Sequence, residues 1–428
     1  MVRLLGGLVL YLSTLYCGPK PRTGAGRGRE GAGVYPELAV LGFSEGSSPA
    51  LASRVARLSA LLPSFQVARD ELARDDVSLN IKEVRCIALQ QGLELLATRL
   101  SDLQRYRDGL LPRGKFLRGK RVGVAVDGGR VRTRVVVKKK KDKRTGKKRR
   151  QKFRTEWREP KLMIIFEMDK RGRMVRGSRP WIDGTFQGPD ECMELLALHL
   201  HRLGAADAEL VTFLSDGAPW IWDRLEWIEK RVGLKAERVV KVLDWCHAVH
   251  HVSLALAALD LPAQQRQQLY RHMRSWLKAG RVFRVTAELS FLAEKYSLEH
   301  KVWTEIRYLE DHGQAGHMKY HQFRKRGVPL GSGAIESAVR RVVNLRLKGN
   351  GMLWDVENAE AMLVLRSAAL TGRWEEAREH SRQTLHGDRR LEWRWQSPDM
   401  PGELKAKKVV RPPKPQHQAE QRAGRSVA

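Results

Sequence analysis

Hydrophobic and polar positions change period along this chain, and each change marks a new part. From Ser47 to about Leu111 the apolar residues recur at helical spacing. Asn80 and Glu83 have the separation of a capping box and open a long amphipathic run through Val84, Ile87, Ala88, Leu93 and Leu95. A shorter helix, Phe65 to Arg74, precedes it across a turn. Two helices around a tight turn fit a helix-turn-helix that reads DNA, or equally a packed helical hairpin.

At Arg121 the period drops to two. "RVGVAVD" (Arg121 to Asp127) reads as a strand, Gly128-Gly129 as a hairpin turn, and "RVRTRVVV" (Arg130 to Val137) as its partner. In that partner Val131, Thr133, Val135 and Val137 share one face and Arg130, Arg132 and Arg134 the other. "KLMIIFEM" (Lys161 to Met168) is a third strand. A helix from about Asp190 to Leu203, a strand Glu209 to Asp216, a helix Pro219 to Val232 and a strand Val239 to Asp244 follow. With right-handed crossovers this order predicts an α/β domain, a mixed five-stranded sheet covered by helices, as in an RNase H-like fold. There the first and fourth strands are neighbours, which would set Asp127 and Asp216 side by side at the carboxyl ends of their strands. Residues 251–325 carry Leu, Trp, Phe and Tyr at helical spacing and read as a helical insertion; "GVPLGSG" then leads into another helix. Past about Arg389 the chain is polar, basic and Pro-rich, the composition of a disordered tail.

Composition narrows the partners. The chain has 428 residues, 42% of them hydrophobic, enough for a sizeable core. Its 79 basic residues against 48 acidic give +31. Such a surplus points to a polyanion, most simply nucleic acid, although charge alone leaves open an RNA binder, a membrane-surface protein or a basic tail. Cys17, Cys86, Cys192 and Cys246 are widely spaced with no CxxC pair, which argues against a secreted disulfide framework and fits reduced cytosolic thiols. "MVRLLGGLVLYLSTLYC" has the length of a signal peptide, yet Leu8, Leu10 and Leu12 alternate as in a strand. No stretch reaches the roughly 18 to 20 apolar residues needed to span a membrane.

Three acids are candidates for chemistry. Asp127 and Asp216 each follow an apolar strand, where a carboxylate is costly to bury without a partner. Each also fits a plainer role, Asp127 in a hairpin turn and Asp216 in a turn or helix cap. Glu336, in "GSGAIESAVRRVVNLRLKGNGMLW", falls early on a helix that Ser332 is placed to cap, beside a stripe of Ile335, Val339, Val342 and Arg346. Its plainer role is a helix-start glutamate paired with Arg340. Carboxylates from three chain segments are a minimal set for two divalent ions, Mg2+ or Mn2+, about 4 Å apart, which activate one oxygen and stabilise another in phosphodiester chemistry.

Basic and imidazole groups surround these acids in the sequence. Lys138, Lys139, Lys140 and Lys141 begin a run to Lys152 with eleven basic residues and one acidic, fit to grip phosphates or to stay solvated. Arg340, Arg341, Arg346 and Lys348 follow Glu336 and are candidates to hold a DNA strand. Asp244, His247, His250 and His251 form a D-x-x-H-x-x-H-H string in which His247 and His251 share a helical face, as metal ligands can. No further cysteine beyond Cys246 completes a zinc set, so Asp244 and His247 read as supports of the site, or as packed groups. Trp220 and Trp222 read as core.

The strings "VAVDGGRVRTR", "WREPKLMIIFEMD", "FLSDGAPWIWDRL", "LDWCHAVHH" and "GSGAIESAVRRVVNLRLKGNGMLW" resemble the DDE transposases of bacterial insertion sequences, especially the Kra-type group, from about Tyr35 to Trp374. The resemblance implies a catalytic triad at Asp127, Asp216 and Glu336, metal-dependent cleavage at insertion-sequence ends and strand transfer into target DNA. It also implies an Asp244-x-x-His247 element near the active site and a helical insertion before the glutamate. A homodimer on DNA and a bacterial cytoplasmic, nucleoid-associated location go with it. Members often carry an amino-terminal cysteine knuckle; here "LYCGPKPRTG" keeps Tyr16 and Cys17 but lacks the second cysteine. This predicts a truncated or degenerate amino-terminal remnant over 1–45, a helical DNA-binding domain over 46–115, a catalytic domain in two parts, 116–250 and 326–388, around the insertion 251–325, and a basic tail 389–428. Competing functions are a nuclease or resolvase without strand transfer, a non-catalytic DNA-binding copy, and a basic RNA-binding protein.

Overall fold

Five strands make the central sheet of the computed structural model, which describes residues 1–18, 20–21, 29–30, 33–137, 152–296 and 300–392. They are β1 (Arg121–Gly128), β2 (Lys161–Met168), β3 (Trp181–Thr185), β4 (Leu210–Ser215) and β5 (Val239–Leu243). Their spatial order is β5-β4-β1-β2-β3. β5, β4 and β1 run parallel, while β2 and β3 are antiparallel to their neighbours. The strands read as nearly unbroken apolar runs because the sheet is covered on both faces. Val122, Val124 and Val126 of β1 join one core layer with Met193, Leu196 and Leu225. Ala125, Leu162, Leu214 and Val242 face a second layer on the other side.

Two expectations about this sheet are corrected. Val131–Val136 does not return along β1. It pairs with Phe153–Arg158 as a separate antiparallel ribbon, from Val131 opposite Arg158 to Val136 opposite Phe153. The reason is local: Gly128 already pairs with Lys161, and the Gly129 N–H donates to the Pro160 carbonyl at 2.8 Å, so β1 is closed onto β2. The ribbon instead buries Val131 and Thr133 beside the Trp354 backbone; Arg134 N–H donates to Trp354 O at 2.8 Å and Trp354 N–H to Arg132 O at 3.2 Å. The fifth strand of the sheet is β3, "WIDGT", which alternation did not reveal.

The helical segments follow the periodic pattern closely. The amino-terminal ones are α1 (Pro49–Leu61), α2 (Phe65–Arg74) and α3 (Ile81–Arg107). The capping box is present: Asn80 Oδ1 accepts from Glu83 N–H at 2.9 Å, and Glu83 Oε2 accepts from Asn80 N–H at 2.8 Å. α4 (Pro189–Leu203) and α5 (Pro219–Val232) cover one face of the sheet. α6 (Trp245–Ala258), α7 (Ala263–Lys278), α8 (Val282–Tyr296), α9 (His300–Gln314) and α10 (Tyr320–Lys325) make the helical insertion. α11 (Gly333–Val339) and α12 (Val356–Leu370) return to the sheet, and α13 (Trp374–Glu392) packs on α3. Ala56, Ala60, Ala88 and Leu95 of the amino-terminal helices share one core cluster with Leu162 and Leu214. At the start of the chain, Val2–Arg3 pairs with Val9–Leu10, and Arg3 O accepts from Ser48 N–H at 2.9 Å, ahead of α1. Among the described residues no helix is long and apolar enough to cross a membrane. The basic-tail expectation falls largely on residues 393–428, outside the described ones.

A buried charge network ties α3 to the sheet. Arg99 donates to Gly184 O at 2.8 Å and pairs with Asp183 at 3.3 Å and with Glu360 of α12. His199 of α4 holds the second Asp183 oxygen at 2.9 Å, and Glu360 accepts from Phe186 N–H at 2.6 Å. Burial alone would raise the Asp183 carboxyl, but Arg99 and His199 outweigh it and hold it below the ordinary value. Arg99→Ala would remove the one guanidinium that two buried carboxylates share and leave them only His199 and the Phe186 N–H, so we expect a loss of roughly 3 kcal/mol. Urea unfolding of the variant measures it, and a change under about 1 kcal/mol would show that the network is not a structural tie.

Candidate active site at the carboxyl ends of the parallel strands

Strand register brings distant aspartates together. β4 lies beside β1 with Leu214 opposite Ala125, so two residues further Asp216 stands level with Asp127. On its other side β4 lies beside β5 with Ser215 opposite Leu243, so one step further Asp216 stands level with Asp244. Alternation then decides the face. Ala125, Leu214 and Val242 belong to the core layer on the side of the insertion, and each aspartate lies two residues beyond one of them. The three aspartates therefore leave the sheet on one face. Only two of them were singled out from the sequence as site carboxylates; "VVKVLD" repeats the apolar-strand-then-Asp pattern and was the signal for the third.

Their surroundings divide the work. Asp127 is half-buried and its Oδ1 accepts from Gly128 N–H at 2.7 Å. Burial pushes its pKa up to about 6; the Gly128 N–H opposes this, Asp216 and Glu336 add to it, and His247 opposes it. Asp216 Oδ1 accepts from Ser215 Oγ at 3.1 Å and Ala218 N–H at 3.0 Å, closing the turn into α5. Among the described residues neither Asp127 Oδ2 nor Asp216 Oδ2 accepts a hydrogen bond. Asp244 is different: it is buried and fully engaged. Its Oδ1 accepts from the His247 N–H at 2.9 Å and lies 3.1 Å from His247 Nδ1, and its Oδ2 accepts from Ser332 N–H at 2.5 Å. Burial would raise this carboxyl, but the His247 and Ser332 bonds win and bring it down to about 2. His247 is raised in turn, chiefly by its bond to Asp244, with Asp216 and Asp127 contributing.

Ser332 relays that anchor to Glu336. The serine was expected to cap α11 through its side chain. Instead Ile335 N–H donates to the Ser332 carbonyl at 2.9 Å, and Ser332 Oγ donates to Glu336 Oε1 at 3.0 Å. Glu336 is exposed in the first turn of α11, which packs on β1 and β2. Beyond it Arg340–Asn344 forms a π-helical turn, a widening often found at functional sites.

The insertion reaches this site at Gly217. Tyr308 Oη of α9 donates to the Asp216 carbonyl at 2.7 Å. A Cβ on Gly217 would lie 2.1 Å from that hydroxyl, and the residue's φ is +87°, so only glycine fits. His251 stacks on Tyr308 at 3.6 Å and pairs with Glu305. Its ring is thus engaged by the insertion, while that of His247 meets Asp244. Trp222 stacks on His317 at 4.1 Å, as a packed residue should, while Trp220 lines the site with Lys161 Nζ 5.1 Å from its ring.

A cavity of about 510 Å³ opens over the aspartates, lined by Asp127, Asp216, Arg130, Trp157, Arg158 and Trp220. Of the cations expected to hold DNA, Arg340, Arg341 and Lys348 are exposed. The expectation for Arg346 is corrected: it is 2% exposed, with Nε donating to Ser59 O at 3.2 Å and its guanidinium over Phe65 and Trp354. Burial brings it down to about 10, and it serves the end of α1 rather than any ligand. Lys138, Lys139, Lys140 and Lys141 lie outside the described residues.

Among the described residues no group of three His, Cys, Asp or Glu is gathered into a metal-holding set. The donors nevertheless suit a hard divalent cation. Asp127 and Asp216 offer carboxylate oxygens only, are mutually repulsive, and keep oxygens unengaged. No family model matches the chain, and no curated protein or solved structure matches it.

The raised Asp127 pKa has a definite sign. Between about pH 4 and 6 the folded protein holds a proton that the unfolded chain has lost, so stability falls as pH rises through that window. Asp127→Asn should therefore stabilise the metal-free protein at pH 7.5 by about 1–2 kcal/mol after discounting for solvent screening, and by almost nothing at pH 4. Urea unfolding at the two pH values tests this; an equal effect at both would refute it.

Proposed function

We propose that this protein is a DDE transposase with an RNase H-like catalytic domain. The observation that carries the reading is the pair Asp127 and Asp216, level on adjacent parallel strands, with Glu336 entering from a helix beyond a helical insertion. The strand order β5-β4-β1-β2-β3 supports the fold. A charge of +31 supports a DNA partner.

In this reading Asp127, Asp216 and Glu336 would hold two divalent ions, Mg2+ or Mn2+, which when bound supply an activated oxygen and charge stabilisation at phosphorus. The chain's own groups bind and orient. Asp244 fixes α6 and, through Ser332, the glutamate. His247, protonated more readily than a free imidazole, offsets carboxylate charge or meets a phosphate. Arg340, Arg341 and Lys348 present cations beside Glu336. The substrates are insertion-sequence ends and target DNA, held by at least a dimer, in a bacterial cytoplasm. α1–α3 supply the helix-turn-helix-like unit; on α2 Arg69 pairs with Asp70 and Arg74 with Glu71, exposed pairs that cost little to exchange for phosphates.

The test is incubation of wild type and Asp216→Asn with DNA carrying the element's ends, with and without Mg2+ or Mn2+. We expect metal-dependent nicks at the ends that fall to background in the variant, followed by joining to target DNA. Nicking without joining would make the protein a nuclease or resolvase. Equal binding by both with no cleavage would leave a non-catalytic DNA-binding copy.

A further inference from the structure

The ribbon beside the cavity sorts its residues by face. Cross-strand partners share a face, so Arg132 and Trp157, Arg134 and Thr155, and Val136 and Phe153 project together. The opposite face holds Val131 and Thr133, both buried, and Glu156, whose carboxylate pairs with Arg154 and Arg158. The ribbon's acid is thus on the inner face, and the outer face is left with arginines and rings. Among the described residues Arg130, Arg132 and Arg134 meet no carboxylate. Trp157 is 52% exposed and Phe153 51%, on the Phe153–Arg158 strand, whose only strand partner is Val131–Val136 among the described residues. Large exposed rings there are a liability unless something covers them. The Arg130 and Arg132 guanidiniums lie 5.4 and 6.0 Å from the Trp157 ring, and Trp157 itself lines the cavity over Asp127 and Asp216.

We propose that this outer face clasps an unpaired DNA strand, with a base stacked on Trp157 and its flanking phosphates on Arg130, Arg132 and Arg134. The proposal rests on the transposase reading for its choice of DNA. Charge complementarity selects a polyanion, and the exposed indole selects one whose bases are free. Stacking on an aromatic side chain needs an open base face, which a duplex hides except at its ends. A strand lying here has its backbone led past Trp157 into the cavity above the two aspartates. The ribbon would therefore deliver one separated strand to the carboxylates.

Binding is measured on the full chain in EDTA, by fluorescence anisotropy of labelled oligothymidylate, oligouridylate of equal length and a blunt duplex. Trp157→Ala should weaken oligothymidylate binding about ten- to hundredfold. Trp157→Phe, which keeps a ring, should restore it to within about threefold, and duplex binding should change by less than about threefold. Equal losses for strand and duplex, an unchanged Trp157→Ala, tighter binding of oligouridylate, or no binding of oligothymidylate by wild type would each overturn the proposal. The two readings separate cleanly. A wild type that needs Trp157 to bind strands but never nicks DNA keeps the clasp and loses the transposase. If wild type nicks DNA and Trp157→Ala binds and nicks equally well, the clasp alone is lost.

Discussion

Parallel strands in register carry residues of equal rank to the same height, and the site rests on that constraint. β1 carries an aspartate one residue before its end, β4 and β5 are each followed directly by one, and the hydrogen-bonded register fixes the level at which those residues meet. Slipping either pairing by one residue would turn the whole apolar set of a strand to the wrong face. The core layers that require Ala125, Leu214 and Val242 on one side thus also fix the side on which the acids emerge. Core packing and site geometry are here a single requirement.

Crowding like charges at one sheet edge is unfavourable, and the surroundings divide the strain unevenly. Asp244 is satisfied by three contacts, two from His247 and one from Ser332, and becomes a structural anion. Asp127 and Asp216 accept only from their own turns, and both line the cavity. The difference separates a carboxylate that holds the scaffold from those that remain available for chemistry. Glu336 belongs to both groups, since the serine that steadies it is itself bound to Asp244.

Local periodicity made most elements legible in the sequence. α2, α5 and β2 occupy the spans their apolar spacing marks, and the capping box at Asn80 announces α3. Partners were less legible than elements. Alternation identifies Val131–Val136 as a strand but not that it pairs with Phe153–Arg158, because pairing is decided by where β1 is already closed. β3 was missed because Asp and Gly are poor strand formers, and its Asp183 is made tolerable by Arg99, far away in the chain. The same non-local cause hid Arg346: its ligands are a carbonyl at Ser59 and rings at Phe65 and Trp354. In the site, Asp127 and Asp216 could be read from strand ends, whereas the Ser332 relay and the Tyr308 contact depend on how separate segments pack.

The contact between Tyr308 and Gly217 also limits how such a chain can drift. Any side chain at 217 would strike the tyrosine ring before it gained anything, and a smaller residue at 308 would leave the Asp216 carbonyl without its donor. Neither single change is neutral, and the positive φ at 217 favours glycine there whatever stands at 308. The helical insertion is therefore tied to the strand end it touches, and a catalytic sheet grafted without it would leave the Asp216 carbonyl without its tyrosine donor.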